Sequence, residues 1–317
     1  MTSAPTLSDI RAARELIARH IHRTPVMTSE TLNREFGARL FFKCENLQKV
    51  GAFKARGATF AVLSAPDSEV RGGVVTHSSG NHAAALARAA LIRGVPGHIV
   101  MPNNAPKVKQ ESVRRYGGQI TFCEPTLAAR EAAATKIQNE SGALLVHPYD
   151  NWSVITGQGT CALELLEEVP ELDLLIAPVG GGGLLSGSTI TAKAMQPGIR
   201  VYGAEPAGAD DAYLSLHTGV RQPQHNPQTI ADGLRTALGE RSFSVLTRMV
   251  DGIVTVEEAS IVNAMRRTWE IMKIIIEPSA AVPLGALLEG KVAISGKRVG
   301  IIVSGGNVDL ERLPWQH

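Results

Sequence analysis

The sequence of 317 residues predicts an α/β protein in two domains, each with a mostly parallel open sheet flanked by helices. Three observations carry this. Short β-branched runs alternate with helical stretches along most of the chain. The runs are apolar throughout, as expected of strands covered on both faces. And there are too many of them for one small sheet.

In chain order, GVVTH is a short strand that ends at His77, and the Ala-rich NHAAALARAALIRG after it is a helix. GHIVMP is a strand, APKVKQESVRRYGG a helix and QITFCE a strand. TLAAREAAATKIQNESG is a helix and ALLVHP a strand. From Asn151 the alternation continues: helix VITGQGTCALELLEEV, strand LDLLIAPVG, helix GLLSGSTITAKAM and strand IRVYGAEP. Strand DGIVTV precedes helix VEEASIVNAMRRTWEIMK, and KRVGIIVSGG is a strongly apolar last strand. Residues 73–150 form one compact β-α set, a small mobile domain. Residues 1–72 and 151–317 form the larger one. No repeat, low-complexity tract or charge block interrupts the pattern.

Composition narrows the partners. Lys and Arg number 32 against 30 Asp and Glu, a net charge of +2, which gives no reason to expect nucleic acid or an anionic membrane. No run of about 18 apolar residues is present to span a bilayer, and the polar start at Met1 shows no secretory signal. Cys44, Cys123 and Cys161 are far apart, form no metal-type pair, and are expected to be buried small apolar residues in a reducing cytoplasm.

In open parallel sheets, ligands bind where strand carboxyl ends meet helix N-termini. Three loops stand there: HSSGNH after GVVT, GGGG after LLIAPV, and SGGN after GIIV. Gly180, Gly181, Gly182 and Gly183 lie between strand and helix, where bare N–H groups and the helix dipole make an anion cradle. A tight turn without ligand is the plainer alternative. The spacing fits neither a P-loop nor a dinucleotide fingerprint. Lys54 sits in a small, apolar segment, with Phe53 before it and Gly57 after it. Most lysines are solvated. One held in apolar surroundings loses basicity and becomes a nucleophilic amine.

Together these motifs resemble the fold-type II pyridoxal-phosphate enzymes, with the tryptophan synthase β-like fold, in the serine/threonine dehydratase and serine racemase branch that includes 3-hydroxyaspartate dehydratases. ENLQKVGAFKARGA resembles the cofactor-attachment motif, THSSGNHAAALA the asparagine loop, PVGGGGLLSG the phosphate loop and VSGGNVD the pyridine-nitrogen contact. The resemblance runs from about Leu7 to Asp309. Ala52 departs from it, where many relatives have Ser, without touching the lysine chemistry.

The resemblance implies pyridoxal 5'-phosphate bound to Lys54, Phe53 on its ring face and Asn81 on its ring hydroxyl. Gly180 to Gly183 and Leu184 would hold the phosphate, and Ser304 would face the pyridine nitrogen. A hydroxyl there leaves the ring a weaker electron sink than an aspartate would, favouring prompt loss of a β-leaving group. Ser78, Ser79, Gly80, Asn81 and His82 would bind the substrate α-carboxylate. Lys54 would take the Cα proton, with Ser79 a proton donor or acceptor on the opposite face. A homodimer is also implied.

Glu205, Ala209 and Asp211 follow a strand in VYGAEPAGADD. Two carboxylates and a carbonyl suit Mg²⁺, Mn²⁺ or Ca²⁺. A solvated acidic turn is the reading without the resemblance, which favours the metal. Arg130, in TLAAREAAA, reads alone as a surface helix arginine. The resemblance turns it to the pocket, where it would grip a second carboxylate, as in 3-hydroxyaspartate. His77, His82 and His147 lack zinc spacing and are expected to be hydrogen-bond donors in loops.

The leading expectation is therefore a lyase that converts a β-hydroxy amino acid, first of all 3-hydroxyaspartate, to a 2-oxo acid and ammonia. A serine/threonine dehydratase or serine racemase is the alternative at the same site. A catalytically silent cofactor or amino-acid binder is a different class, and the intact Lys54 argues against it.

Overall fold

In the computed structural model, which describes residues 3–78, 80–105 and 107–316, the expected alternation is present with additional elements at both ends. In chain order these are α1 (Leu7–Ile17), β1 (Val26–Met27), α2 (Glu30–Phe36), β2 (Arg39–Cys44), α3 (Lys54–Leu63) and β3 (Val74–Thr76). Then come α4 (Asn81–Arg93), β4 (Gly97–Pro102), α5 (Lys107–Arg115), β5 (Gln119–Cys123), α6 (Leu127–Ser141) and β6 (Leu144–Leu145). They are followed by α7 (Trp152–Glu168), β7 (Leu174–Pro178), α8 (Gly183–Met195), β8 (Arg200–Pro206), α9 (Asp211–Thr218) and α10 (Glu240–Met249). β9 (Gly252–Val256), α11 (Glu258–Arg267), α12 (Pro278–Leu288) and β10 (Arg298–Val303) complete the order.

The strands form two sheets. One has six strands in the order β1-β2-β10-β7-β8-β9, the other four in the order β5-β4-β3-β6. Every pairing is parallel except that of β1 with β2. β2, β7 and β10 are buried on both faces, and their core residues lie in two clusters, one under α11 and α12, the other under α7 and α8, whereas the edge strand β5, expected to be covered, is exposed or half-buried throughout. Two details differ from the sequence reading. ALLVHP pairs only over Leu144 and Leu145, because the chain then turns away through Pro148. The helix from Glu258 ends at Arg267 and continues as one wide turn to Met272, closed by Lys273 in the left-handed region at φ 60°.

Behind the attachment segment lies a cluster of charges shut off from water. Lys43, Glu45, Arg56 and Glu164 come from β2, the turn after it, α3 and α7, and are all 0–3% exposed. Arg56 gives Nε to Glu45 at 2.7 Å and Nη1 to Glu164 at 2.7 Å, and its Nη2 reaches both carboxylates. Lys43 Nζ donates to Glu164 at 2.7 Å and to the Thr24 carbonyl at 2.7 Å, while the Thr24 hydroxyl donates to Glu45 at 2.6 Å. Two cations face two anions, so the cluster is neutral as a whole. Two residues along a helix is about 200° of rotation. The face that buries Arg56 among carboxylates therefore turns Lys54 the other way.

Removing one partner leaves a buried carboxylate uncompensated. Arg56→Met is expected to cost about 3–5 kcal/mol of unfolding free energy. Denaturant titration measures it, and a loss under about 1 kcal/mol would show that the cluster does not need its arginine.

Candidate active site

The carboxyl ends of both sheets open onto one cavity of about 490 Å³. It is lined by Lys54, the glycine loop, the asparagine loop and the SGGN turn. Every described residue expected at the cofactor and substrate lines it: Phe53, Lys54, Ser78, Gly80, Asn81, His82, Arg130, Gly180 to Gly183, Leu184 and Ser304. Ser79 lies outside the described residues.

Lys54 opens α3, half-buried, with Nζ 5.1 Å from the Phe53 ring centre. It donates to the Pro148 carbonyl at 2.8 Å. Burial pulls its ammonium down to about 8, a shift partly opposed by the Glu277 carboxylate. Most of the amine is still protonated at neutral pH, but its neutral fraction far exceeds that of an ordinary lysine, which favours a nucleophile and base.

The glycine loop follows β7 and becomes the first turn of α8. Its cap, Gly182, sits at φ 84°, a conformation that side chains disfavour, and no side chain caps the helix. The first N–H groups of α8 are therefore left for an anion. The Tyr149 ring lies against the loop, so closely that a Cβ on Gly181 would meet it at 2.2 Å. Burial raises the Tyr149 hydroxyl to about 12, so it stays a neutral donor.

Asn81 opens α4. Its Nδ2 donates to both oxygens of Glu277 at 3.0 and 3.2 Å, and its Oδ1 accepts from Asn307 Nδ2 at 3.0 Å. The Asn307 N–H also reaches Glu277, at 3.1 Å. Burial raises the Glu277 carboxyl to about 7, helped by the Asp232 charge. Ser304 is buried at the end of β10, and its carbonyl accepts the Phe53 N–H at 3.0 Å, which ties the attachment segment to the SGGN turn.

Glu277, Asn307 and Tyr149 were not singled out from the sequence. The available signal was positional: a carboxylate just before a proline-started helix, and an asparagine in a glycine turn after the last strand. A second omission is the ion pair between Lys109 on α5 and Asp232, which joins the two sheet units at the rim of the cavity.

Arg130 lines the cavity from the first turn of α6, with Nε 3.4 Å from the Thr126 carbonyl. Among the described residues it forms no ion pair, whereas Lys109 is neutralised by Asp232 and Arg235 donates to the Thr229 carbonyl.

The histidines correct one expectation. His82 Nε2 lies 3.3 Å from the Val146 carbonyl, as a donor should. His147 instead accepts, taking the N–H groups of Tyr149 and Asp150 on Nδ1 at 3.4 and 3.0 Å. The cysteines correct another: Cys44 and Cys161 are buried, but Cys123, at the end of edge strand β5, is only half-buried.

Away from the cavity, Glu205 and Asp211 are both buried. Glu205 accepts the N–H groups of Ala212 at 3.3 Å and Tyr213 at 2.5 Å. Asp211 accepts from Gln224 at 2.7 Å and from the Leu238 N–H at 2.7 Å. Neither forms an ion pair among the described residues. Burial raises both carboxyls, Asp211 to about 6 and Glu205 well above its usual range, with Asp211 adding to the shift of Glu205 and Asp210 to that of Asp211. Ala209 is buried in the short turn between them. Carboxyls so placed keep unspent lone pairs, and the cation that bears on them, Arg221 near Asp211, forms no ion pair with either.

A phosphate-bearing aldehyde fits the main cavity: a free-amine lysine, a helix N-terminus lacking a side-chain cap, and a floor narrowed by Phe53. The comparisons agree. Residues 17–305 match the family model described as pyridoxal-phosphate dependent enzyme. The chain is 51% identical over 311 residues to a beta-hydroxyaspartate dehydratase of Paracoccus denitrificans, covering 98% of this chain and 99% of that one. It superposes on a serine racemase of Dictyostelium discoideum with TM-score 0.93 at 50% identity, covering 97% and 100%. A pyridoxal 5'-phosphate-dependent aspartate racemase superposes with TM-score 0.93 at 37% identity, covering all of both chains. A lysine, a glycine cradle and a fold that agree at this breadth leave one assignment: the chain belongs to the pyridoxal-phosphate-dependent enzymes of fold type II.

Proposed function

We propose that this enzyme removes water from 3-hydroxyaspartate and releases oxaloacetate and ammonia. The observation that carries the choice of substrate is Arg130, a guanidinium on the cavity wall with no ion-pair partner among the described residues. The names of two relatives, a beta-hydroxyaspartate dehydratase and an aspartate racemase, point the same way, since both involve amino dicarboxylic acids. Dehydration of serine or threonine, or racemisation of serine, is the alternative, and it gives Arg130 nothing to hold.

Lys54 would carry the cofactor, the N–H groups of Gly180 to Leu184 would receive its phosphate, Asn81 would meet its ring hydroxyl and Ser304 its ring nitrogen. When bound, the cofactor supplies an electron sink conjugated to the substrate nitrogen. The protein's part is positional. The asparagine loop, Ser78 to His82, presents N–H groups to the α-carboxylate. Arg130 grips the second carboxylate and so fixes rotation about Cα–Cβ. The Lys54 amine takes the Cα proton, the β-hydroxyl departs as water, and hydrolysis of the resulting enamine yields the 2-oxo acid and ammonia. The resemblance gives Ser79 the role of proton donor or acceptor on the opposite face, and proton return to Cα there would be the racemase side reaction.

The reading includes a divalent cation, Mg²⁺ or Mn²⁺ and less readily Ca²⁺, held by Glu205, the Ala209 carbonyl and Asp211. Two buried carboxyls with no ion-pair partner among the described residues support it. It also includes a homodimer and a cytoplasmic setting, which rest on the family resemblance and on three free thiols. No helix among the described residues is long and apolar enough to cross a membrane.

Lys54→Ala is expected to lose both the visible absorption of the bound cofactor and turnover. Retention of either would remove Lys54 from its role. Chelation should lower the melting temperature and activity, and Mg²⁺ or Mn²⁺ should restore them. Indifference to chelator, with no metal by elemental analysis, would reject the cation site. Losing a charge-assisted pair in a closed site should make Arg130→Ala lower kcat/KM for 3-hydroxyaspartate by roughly 30-fold or more. Serine and threonine should be affected far less. An equal loss on all three would make Arg130 a structural or α-carboxylate residue, and a wild-type preference for serine or threonine would overturn the dicarboxylate reading.

A further inference from the structure

The segment from Val146 to Asp150 leaves β6 and enters α7, which Asn151 caps through the Val154 N–H at 3.1 Å. It forms one wall of the cavity, and its Pro148 carbonyl is the acceptor on which the Lys54 amine rests. That carbonyl belongs to the same planar peptide unit as the Tyr149 N–H. In a trans peptide the two point in opposite directions. The Tyr149 N–H is turned toward His147 Nδ1, with the Asp150 N–H beside it. The Pro148 oxygen must therefore point away from His147, toward Lys54.

The imidazole that sets this plane is itself held. His77 meets it edge-on at 5.3 Å and Tyr149 at 4.6 Å between ring centres. His82 Nε2 fixes the carbonyl one residue earlier, at Val146, and the Asp150 carboxylate accepts the Arg241 N–H at the other end of the turn. Nδ1 accepts, so the ring proton sits on Nε2.

We propose that His147 is a positioning residue for proton transfer at Cα: by orienting the Pro148–Tyr149 peptide, it makes the Pro148 carbonyl hold the free Lys54 amine in one place. This rests on the β-elimination reading above. One amine hydrogen goes to Pro148 O, which leaves the nitrogen lone pair a defined direction. The Cα–H bond breaks, the proton passes to Lys54 Nζ, and the electron pair stays with the substrate's conjugated system. The resulting ammonium still donates to Pro148 O, so the carbonyl dipole stabilises the product of the transfer. The groups facing the ring are His77, Asp150, Lys54 and Arg241. Burial, with His77 and Lys54 adding to it, keeps His147 down at about 4, so Nδ1 remains an acceptor throughout the working range.

The test compares His147→Leu with His147→Asn, since the asparagine Oδ1 can take the place of Nδ1. In the leucine variant kcat for 3-hydroxyaspartate should fall about 10- to 100-fold with KM within about twofold, the scale of a misplaced reacting group. The asparagine variant should recover most of it. Separately, Lys54 in the cofactor-free protein is labelled with acetic anhydride across pH. The wild-type midpoint is expected near 8. It should shift down in the leucine variant, which has lost the acceptor for its ammonium, and return in the asparagine variant. An unmoved midpoint, an asparagine variant as poor as leucine, or undiminished kcat in the leucine variant would overturn the proposal. The labelling arm reads Lys54 without any substrate, so an error in the choice of substrate would leave its answer intact.

Discussion

The arrangement of the site depends on a charge cluster that water does not reach. Arg56, held by Glu45 and Glu164, can occupy its place in only one rotation of α3, because any other would carry a guanidinium into apolar packing or strand two carboxylates. Lys43 ties β2 into the same cluster through Glu164. Burial works against Glu164, yet Arg56 and Lys43 hold its carboxyl below the usual range. The sheet, the attachment helix and the long helix α7 are thereby locked in a single mutual orientation. The lysine two residues before Arg56 inherits that precision without any charged neighbour bonded to it.

Freed from an ion pair, Lys54 is governed by desolvation and by one carbonyl. The rest of the cavity divides its polarity by region. At the glycine loop the donors are backbone N–H groups at a helix start. Around Asn81 they are its own side-chain amide and the Asn307 backbone N–H, which reach Glu277 from the two sheet units. Toward the rim they are cations, one already satisfied by Asp232 and one, Arg130, not. A ligand with a phosphate, an aromatic hydroxyl and an acidic tail meets a matching group in each region.

Much of this was legible in the sequence, because the information is local. An apolar run around a lysine, four glycines between strand and helix, and period-two or period-3.6 patterning all act within a few residues. The strand that shrank to Leu144 and Leu145 shows the limit: the apolar run was real, but the peptide after it serves the cavity wall and not a ladder. Glu277, Asn307 and Tyr149 were missed because their importance comes from contacts across long sequence separations. Arg56 was missed for the same reason. On α3 it is one charged residue in FKARGA, and only the approach of Glu45 and Glu164 shows it to be buried. His147 accepts where a donor is expected, since tautomer and peptide orientation leave no trace in residue type.

The strand order has a consequence for how such a chain comes to be folded. β10, the last of the strands to be synthesised, lies between β2 and β7, pairing Arg298 with Arg39 and Val299 with Leu174. Until it is made, β2 has only the two-residue β1 beside it, and the β7 edge meant for β10 is bare. Two apolar strand edges then wait for a partner from the far end of the chain, a topology that folds slowly and exposes sticky surface meanwhile. The four-stranded sheet needs no such delay, since its strands all lie between Val74 and Leu145. During synthesis that unit can be finished while the six-stranded sheet is still open, so the wall that carries Asn81 and Arg130 would exist before the sheet that carries the glycine loop is closed.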